Sequence, residues 1–388
     1  MVQKKLKKTK VAFIISPNQN WLGEINYFKS LIGSINNLDE PIPIEVYVFT
    51  SEFEKNLVQK KYKKIKFIKT SFLNESGFLS FIKKILGKLF GRYDPVISFL
   101  LKKNSIDVLS HYKPIKGFKN ISWFPDFQHV HYPLFFSKKE ILLRNKLYNN
   151  YIKNSEILIV SSESSKKDLI KFKKEDKKIE ILKFLPEINF SKIEDKKVFE
   201  KKLNIRNNYI FTPNQFWVHK NHICIIEALN ILKKKGIKIK CILTGSQYDH
   251  RDNNHFGKLM KKIELYQLKN QIKYMGVLPY NKIINLLYHA TIIINPSLFE
   301  GWSTVVEEAK ILDKRILLSN INVHIEQKPK KGIFFNPNDP KYLAQKIERI
   351  FNLKEPRKKK ISTLIDDYIF NRKVFAKKYI NIVQKLKV

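Results

Sequence analysis

The sequence predicts an α/β protein of two domains, and three observations support this fold class. Short apolar runs rich in β-branched residues, typical of buried strands, alternate with segments whose apolar residues recur at helical spacing. The 388 residues exceed what one hydrophobic core usually serves. Near the middle, the pattern becomes charged and irregular, as in a connection between domains. We therefore expect domains at 1–186 and 207–365, a linker at 187–206 and a last helix within 366–388.

The composition indicates a folded and strongly basic protein. Hydrophobic residues make up 43% of the chain, whereas 74 Lys and Arg against 35 Asp and Glu leave a formal charge of +39. This charge favours phosphorylated substrates, nucleic acid or an anionic membrane surface, but lysine is spread through nearly every segment, so a bias in codon usage explains it equally well. Because no RNA-binding string or zinc spacing accompanies the charge, we expect no specific nucleic-acid partner.

Three features predict a soluble, cytoplasmic protein. Cys224 and Cys241 lie inside apolar runs and are expected to be buried, reduced thiols. The apolar run at 11–15 is shorter than the roughly 7–15 apolar residues of a signal sequence. No stretch approaches the roughly 18 uninterrupted apolar residues of a membrane span.

In the first domain, strands and helices alternate. The pattern predicts strands at 11–16, 44–50, 65–69, 106–110, 120–123, 157–160 and 179–182. Helices are expected at 25–35, 78–90 and 138–152, with another opening at 161–166. The helix at 78–90 is basic and amphipathic, with Lys83, Lys84, Lys88 and Arg92 on or near it. It therefore fits either peripheral contact with an anionic membrane or a solvated face.

The second domain repeats the alternation. Strands are expected at 209–212, 239–243, 272–275, 291–294, 315–318 and 332–335. Helices are expected at 223–232, 255–268, 281–288, 303–312 and 340–353, followed by the last helix at 368–386. Several of the loops after these strands carry polar residues, and the carboxyl ends of parallel strands are where α/β sheets bind ligands.

The most informative stretch, 295–313, runs from a strand end through a tight turn into a helix. Gly301 gives the turn conformational freedom. Ser303 or Thr304 is expected to cap the helix, and Glu307 is placed to reach back to Thr304 as the acid of a capping box. The amides and the positive dipole end of such a helix attract a phosphate group.

Charged side chains flank this helix start. Glu300 precedes the turn and Glu308 lies inside the helix, so two carboxylates bracket whatever the helix start binds. The same spacing fits a capped surface helix, because acidic residues favour a helix start. Lys220, in the loop after the strand at 209–212, lies close to the start of another helix, where a bound anion would explain a lysine. A surface lysine is the alternative.

A second polar cluster follows the strand at 120–123. Asp126, His129 and His131 lie in a loop at a strand end and are candidates for acid–base chemistry or for orienting hydroxyl groups. A packed, hydrogen-bonded histidine is the other interpretation for each imidazole. We expect no metal here because a third ligand at a fixed spacing is missing.

These motifs resemble those of a known family. The string EGWSTVVEE at 300–308, after NPSLF at 295–299, resembles the glutamate-x7-glutamate motif of the family 4 retaining glycosyltransferases. WFPDFQH at 123–129 is similar to a segment of a bacterial branch of that family, and WLGE at 21–24 resembles its glycine-containing loop. The resemblance implies two Rossmann-like domains facing across a cleft, the GT-B fold, and a nucleotide-sugar donor.

The resemblance also implies residue roles. Glu300 would orient sugar hydroxyls near the reacting carbon, and Lys220 would compensate the charge of the leaving diphosphate. His129, or else His131, would contact the transferred sugar. Donor binding is expected at Gln215, Gly245, Val277, Gly301, Ser303, Thr304 and Glu308. The acceptor is expected to enter past Gly23, Asp126 and His131.

Within the expected donor site, each group meets a different part of the nucleotide sugar. The main-chain amides of Ser303 and Thr304 would bind phosphate, and Glu308 would accept hydrogen bonds from the ribose. The turn at 276–279 would meet the nucleobase, and Gly245 would allow close approach. Gln215 stands where many family members have arginine, so we expect it to give a neutral hydrogen bond.

Together these roles imply a retaining, metal-independent hexosyltransferase that needs no cofactor. It would move sugar from a nucleoside diphosphate to a glycan or lipid-linked acceptor in cell-surface polysaccharide synthesis. Two alternatives stay open. One is a nucleotide-sugar epimerase of the same fold, and the other is a non-catalytic polyanion-binding protein with steep salt dependence.

Overall fold

The structure is a computed structural model that describes residues 8–15, 22–51, 62–73, 94–172, 177–204, 208–353 and 359–386. The chain folds as two compact units, Met1–Glu187 with Phe370–Val388, and Ile188–Ile369. Each unit contains one parallel sheet, and the described residues form thirteen α-helices. The predicted α/β class with two Rossmann-like domains is confirmed.

The first unit is built on a seven-stranded sheet whose neighbouring strands are all parallel. Its strands are β1 Thr9–Ile15, β2 Ile44–Thr50, β3 Ile65–Lys69, β4 Val108–Ser110, β5 Lys119–Phe124, β6 Ile157–Val160 and β7 Lys178–Ile181. They lie in the order β3-β2-β1-β4-β5-β6-β7. The direction of winding therefore reverses between β1 and β4, as in doubly wound folds.

Helices pack against this sheet, whose central strands are buried on both faces. They are α1 Leu22–Asn36, α2 Pro95–Lys103, α3 Gln128–His131, α4 Lys138–Asn154 and α5 Glu163–Phe172. Alternate residues of β1 belong to separate cores, with Val11 and Phe13 in one and Ala12 and Ile14 in the other. Strands buried on both faces have no polar side, which explains their continuous apolar runs.

The second unit contains a six-stranded parallel sheet in the order β10-β9-β8-β11-β12-β13. Its strands are β8 Tyr209–Pro213, β9 Lys240–Thr244, β10 Ile272–Tyr274, β11 Ile292–Asn295, β12 Ile316–Ser319 and β13 Gly332–Phe335. Central β11 pairs Ile293 with Phe211 on one side and with Ile316 on the other. The winding reverses between β8 and β11, so the crevice of this sheet lies at the ends of those two strands.

The helices of the second unit follow its strands in sequence. They are α6 Lys196–Leu203, α7 His222–Lys234, α8 His255–Leu265, α9 Tyr280–His289, α10 Thr304–Ile311, α11 Asn322–Gln327, α12 Pro340–Phe351 and the start of α13 Ile361–Gln384. Ile292 and Ile294 pack into one core, and Ile293 packs into the core on the other face. Cys224 and Cys241 are buried free thiols, and burial raises the pKa of the Cys224 thiol to about 12.

Four helices differ from the expectations, and one of them is the single turn α3, which lies in a stretch expected as a loop. Within the stretch expected as a linker, residues 188–204 contain α6 and lie in the second unit, because Phe190 and Phe199 are buried in its core. Helix α2 was not expected, although Asp94 accepts a hydrogen bond from the Ile97 amide and Pro95 occupies the first helical position, which are ordinary start signals. Helix α11 was also not expected, since its six residues are too few to show a period.

The last helix, α13, belongs to both units. It begins in the second unit, and its residues from Phe370 onward belong to the first. There Phe375 and Tyr379 are buried in the core beside α1, and Arg372 donates to the Ser34 hydroxyl at 2.9 Å. The chain therefore needs its last residues to complete its first core.

Two expectations lie outside the described residues. The basic helix at 78–90 and most of the glycine-containing loop, up to Trp21, fall in undescribed ranges, whereas Gly23 is exposed in the first turn of α1. No helix of the described part is long and apolar enough to cross a membrane. Within the same ranges, no group of three His, Cys, Asp or Glu residues is arranged to hold a metal ion.

Candidate functional site

The candidate site lies at the reversal of winding in the second unit. The loop after β8 carries Lys220 and the loop after β11 carries Glu300, and both strands end at the same edge of the sheet because they are parallel. Ligands of open α/β sheets bind at this kind of reversal. The topology thus brings together two residues that are 80 positions apart in the chain.

An ion pair joins these two loops. The Lys220 ammonium donates to Oε1 of Glu300 at 2.6 Å, and the two side chains are only 12% and 10% exposed. The Ser297 hydroxyl donates to the same oxygen at 2.7 Å. Among the described residues no donor reaches Oε2 of Glu300. The carboxylate is therefore held firmly by one oxygen, which leaves the other for a ligand hydroxyl.

The loop that carries Lys220 is anchored on a buried carboxylate. Asp249, 1% exposed, accepts from the Val218 amide at 2.9 Å and from the Arg251 guanidinium at 2.7 Å. The Arg251 guanidinium lies 4.9 Å from the centre of the Trp217 ring, a cation–π distance. These contacts fix the turn before Lys220, although nothing in the local sequence identifies Asp249 as its anchor.

Main-chain contacts tie this turn to the loop after β11. The Leu298 amide donates to the carbonyl of His219 at 2.8 Å. Asn221, in the left-handed conformation with φ of 55°, donates its side-chain amide to the carbonyl of Pro296 at 3.2 Å. The ion pair is therefore one of several links, and the two loops form one structural unit.

The start of α10 differs from the expected capping box. Ser303 occupies the N-cap, yet its side chain makes no capping hydrogen bond, and Asn295 donates to its hydroxyl oxygen at 2.8 Å. Glu307 does not reach back to Thr304 but accepts from Gln327 at 2.9 Å. The capping-box expectation is wrong because the helix starts one residue earlier than that box requires, which places Glu307 at the fourth helical position.

One expected phosphate contact is already occupied. The Ser303 amide donates to Oε1 of Gln327 at 3.2 Å, and Gln327 donates back to the Ser303 carbonyl at 2.9 Å. The amides of the first helical turn, which begins at Thr304, have no partner inside the helix, and no side chain of the described residues caps them. The amides without a partner therefore start at Thr304 rather than at Ser303.

Glu308 is buried beside a tyrosine hydroxyl. Its side chain accepts from Tyr280 at 2.7 Å, and the residue is 3% exposed. Burial raises the pKa of this carboxyl to about 7, and the bond from Tyr280 lowers it by a smaller amount. Near neutral pH, Glu308 therefore exchanges between a charged acceptor and a neutral acid.

The loops after β8 and β9 approach each other closely. Gly245 has φ of +137°, and a Cβ on it would lie 2.3 Å from the carbonyl oxygen of Asn214. Gln215 accepts from the Ser246 amide at 2.5 Å, so its carbonyl oxygen joins the two loops. Val277, beyond the next strand, is 62% exposed. A side chain at 245 would collide with the Asn214 main chain, so the neighbouring loop requires glycine here.

A neutral histidine lies near the ion pair. His324 on α11 is fully buried, and its Nδ1 lies 3.0 Å from the carbonyl oxygen of Ser319. Because a carbonyl only accepts, Nδ1 carries the proton. Burial lowers the pKa of His324 to about 4, while Glu300 raises it by a smaller amount and Lys220 lowers it slightly further. Sequence reasoning missed this residue because α11 was not expected.

The first-unit candidates do not form one cluster of exposed groups. Asp126 accepts from the Gln128 amide at 2.9 Å within its own turn. His131 is 44% exposed and pairs with Asp168 at 2.9 Å. His129 is 1% exposed, with Nε2 3.0 Å from Asn145 and its ring packed against Tyr148. In this structure, the expected catalytic imidazole has the packed, hydrogen-bonded role, because α4 covers it.

Another histidine lies at the reversal of winding in the first unit. His111 follows β4 with φ of 60°, and its two ring nitrogens lie 2.7 Å from the Tyr27 hydroxyl and 2.7 Å from the Ser110 hydroxyl. Burial lowers the pKa of His111 to about 3. Sequence reasoning missed it, and the only signal was its position directly after a strand.

A shallow basic recess lies at the opposite edge of the second sheet, where β11 and β12 begin. Its lining includes Lys314, Arg315, Lys331 and Lys359. The three lysines donate to the Tyr288 carbonyl, to Asp313 and to Asp367, respectively. Most of this charge is thus satisfied within the protein, and the recess is separate from the Lys220 and Glu300 loops.

Comparison with solved structures identifies the class of fold. Similar structures include a glycosyltransferase from Rickettsia africae ESF-5, 18% identical with a TM-score of 0.64 over 97% of both chains. HepE of Anabaena, solved with UDP and glucose, is 13% identical with a TM-score of 0.68 over 97% of this chain and 100% of that one. Sucrose-phosphate synthase from Thermosynechococcus elongatus is 16% identical, with a TM-score of 0.63 over 98% and 95%. The two Rossmann-like domains are those of the GT-B glycosyltransferase fold.

The family match is more specific than the fold. Residues 194–363 match the model of the family "Glycosyl transferases group 1". This range lies within the second unit and contains both loops of the ion pair and all of α10. The match covers less than half of the chain, and within it the second unit is similar to the group 1 glycosyltransferases. No protein among the curated sequences matches the chain.

Proposed function

We propose that the protein is a retaining glycosyltransferase that moves a hexose from a nucleoside-diphosphate sugar to a glycan or lipid-linked acceptor in cell-surface polysaccharide synthesis. The observation that carries the proposal is the Lys220–Glu300 ion pair beside a helix start that no described side chain caps. It lies at the reversal of winding of a unit that matches the group 1 glycosyltransferases. That HepE was solved with UDP and glucose supports a nucleotide sugar as donor.

In the proposed complex, positive groups receive the diphosphate. The first-turn amides of α10 and the Lys220 ammonium would neutralise the charge that develops on the leaving diphosphate, so no metal or cofactor is needed for this step. Lys220 would move from Glu300 to the phosphate. Glu300, still held by Ser297, would then accept hydrogen bonds from the sugar hydroxyls.

The rest of the nucleotide would extend away from that pair. Glu308 would accept a hydrogen bond from the ribose in its charged form, and the exposed turn at Val277 would contact the base. Gly245 would leave room for the nucleotide, and Gln215 would supply a neutral hydrogen bond. The acceptor would enter past Gly23 and the Asp126 loop of the first unit, and a lipid-linked acceptor would bring the protein to an anionic membrane surface.

Donor binding is tested first. UDP, GDP and ADP are added to the purified protein, and thermal unfolding is recorded. At about 100 times its Kd, the preferred nucleotide stabilises the folded state by about 2.7 kcal/mol, which raises Tm by several degrees. If none of the three nucleotides raises Tm or binds by calorimetry, the donor site is not where we place it.

Catalysis is tested by variants of the ion pair with a matched control. Glu300→Gln and Lys220→Ala are expected to lower sugar transfer by about 10²- to 10³-fold, because each removes a group that acts on the reacting sugar or the leaving diphosphate. Lys262→Ala and Glu227→Gln break another Lys–Glu pair of the second unit, at 2.8 Å on α7 and α8, and should leave transfer unchanged. Circular dichroism checks that all four variants fold.

Product analysis separates the proposal from its alternatives. Retention predicts that the anomeric configuration of the donor sugar, measured by proton NMR, persists in the product. A free epimeric nucleotide sugar formed without acceptor would instead identify an epimerase. Nucleic-acid binding that falls steeply with salt and is unchanged by Glu300→Gln, without any transfer, would identify a polyanion-binding protein.

A further inference from the structure

The N-cap serine of α10 does not cap its own helix. Ser303 has an extended backbone, with φ of −88° and ψ of 113°, and a hydroxyl of the type that normally accepts from the second or third helical amide. Its oxygen accepts instead from the Asn295 side-chain amide at 2.8 Å. A common source of helix-start stability is thus present in the sequence but used elsewhere.

Asn295 is fixed so that its amide group faces Ser303. Its Oδ1 accepts from the Asn214 side chain at 3.2 Å and lies 2.7 Å from the Ser297 hydroxyl, whose single proton points either to it or to Glu300, and the residue is fully buried. The Asn214 donor on that oxygen leaves the nitrogen as the group that faces the Ser303 hydroxyl. The orientation of the serine hydroxyl therefore follows from a network that extends to Glu300 through Ser297.

Gln327 fixes the main chain of the same serine. Its carboxamide accepts from the Ser303 amide at 3.2 Å, donates to the Ser303 carbonyl at 2.9 Å and donates to Glu307 at 2.9 Å. Gln327 is 3% exposed and Ser303 is 2% exposed, so water does not compete for these bonds. Side chain and main chain of Ser303 are both held by residues outside α10.

We infer that Asn295 and Gln327 are positioning residues that keep Ser303 from capping α10, so that the first-turn amides stay available to the donor diphosphate. Without Asn295, the Ser303 hydroxyl would turn to the amide of Val305 or Val306 and compete with phosphate. This inference rests on the proposed function. It adds that the site is kept open by hydrogen bonds that never touch the ligand.

A double-mutant cycle tests the inference with UDP, GDP and ADP as probes in calorimetry. Asn295→Ala is expected to weaken binding of the preferred nucleotide by roughly five- to tenfold, the equivalent of one capping bond. Ser303→Ala alone is expected to change it by less than about twofold, since the hydroxyl does not contact the ligand. In the double variant, binding should return to the level of Ser303→Ala, because no hydroxyl remains to compete.

The rescue separates positioning from general damage. Asn285→Ala is the matched control, since Asn285 is 1% exposed, accepts from the Glu194 amide and donates to the Lys192 carbonyl. It should lower stability without changing nucleotide affinity. If the double variant binds as weakly as Asn295→Ala, the serine hydroxyl is not the competitor and the inference fails, while the proposed function stands.

If Asn295→Ala does not fold, a second variant still tests the inference. Gln327→Met keeps side-chain volume but frees the Ser303 main chain, and it should also weaken nucleotide binding, whereas unchanged affinity would overturn the role of Gln327. The amide NMR shifts of Val305 and Val306 in the ligand-free protein give a direct reading, because a new cap shifts one of them. If the unmodified protein binds none of the three nucleotides, the proposed function itself fails.

Discussion

At the scale of single residues, the second unit uses adjacent carboxylates differently. Glu307 and Glu308 are both buried, but Glu307 accepts from Gln327 and Lys310, whereas Glu308 has, among the described residues, only the Tyr280 hydroxyl. A buried carboxylate without a cation is costly to ionise, which is why the pKa of Glu308 is raised to about 7. The same residue type thus serves as a structural bond in one position and as a titratable group in the next.

The raised pKa of Glu308 predicts a pH dependence of stability. Since the pKa rises from 4.5 to about 7 on folding, the stability that the protonated carboxyl contributes is fully present below pH 4.5 and is lost as the pH rises through 7. Glu308→Gln cannot ionise, so between pH 5 and pH 8 it should lose less stability than the unmodified protein, by up to about 3 kcal/mol. Urea unfolding at the two pH values measures this difference.

Glu264→Gln is the control for that measurement. The Glu264 side chain is 65% exposed, and its hydrogen bond with Lys269 lowers the pKa of its carboxyl, so it does not titrate between pH 5 and pH 8. The stability of Glu264→Gln should change with pH in the same way as that of the unmodified protein. Parallel curves for Glu308→Gln and the unmodified protein would show that Glu308 is not the buried, titrating group we describe.

At the scale of elements, the site depends on where parallel strands end. The loops after β8, β9 and β11 converge because their strands are parallel neighbours at the reversal of winding. Asn214 and Asn295, at two of these ends, are hydrogen-bonded at 3.2 Å. The loops leave little space between them, and Gly245 marks the tightest approach.

Substitution of Gly245 tests this close approach. Gly245→Ala places a Cβ 2.3 Å from the Asn214 carbonyl oxygen at a φ of +137°, so it should destabilise the second unit by roughly 3 kcal/mol or more. Gly257→Ala, in α8 with no atom within 4 Å of its added Cβ, should instead stabilise it by about 0.5 kcal/mol. Thermal unfolding of both variants is the measurement, and equal Tm values would contradict the packing at Gly245.

At the scale of the whole molecule, the last helix, α13, contributes buried residues to the cores of both units. Both sheets have the doubly wound order, yet the first unit takes its final helical residues from the far end of the chain. The hydrogen bond from Arg372 to Ser34 spans 338 residues. Loss of the chain end should therefore affect the first unit directly.

Two phenylalanines of α13 test this dependence in matched form. Phe375 is 3% exposed in the first core, whereas Phe370, on the same helix, is 67% exposed. Phe375→Ala should lower stability by about 3–5 kcal/mol, because it leaves a cavity. Phe370→Ala should change it by no more than about 0.5 kcal/mol. Denaturant unfolding measures both, and a similar loss for the two variants would contradict the burial we describe.

The strands of both sheets, most of the long helices and the stretch at 295–313 were predictable because their signals are local. Apolar runs, helical periods and turn residues act within a few neighbours, whereas Glu300, Lys220 and Glu308 were singled out mainly by the resemblance of their motifs to those of a known family. The sequence left open whether His129 is packed or available to a ligand, because the contact with α4 that buries it joins two separate segments of the chain. The stretch at 187–206 was predicted to be a linker because it is rich in charged residues. The burial of Phe190 and Phe199 within it could not be recognised from that composition.

The sequence by itself determined the α/β class, the two domains and the polar residues at strand ends, since each of these depends on spacing within one segment. Only the tertiary structure decided which of those residues meet. The hydrogen bond between Asn214 and Asn295 joins residues 81 positions apart, and the hydrogen bond between Ser303 and Gln327 joins residues 24 positions apart. Neither separation follows from a local period. Such contacts form only when sheet order and helix packing bring distant segments together. The open start of α10 is therefore a property of the folded chain rather than of its motif.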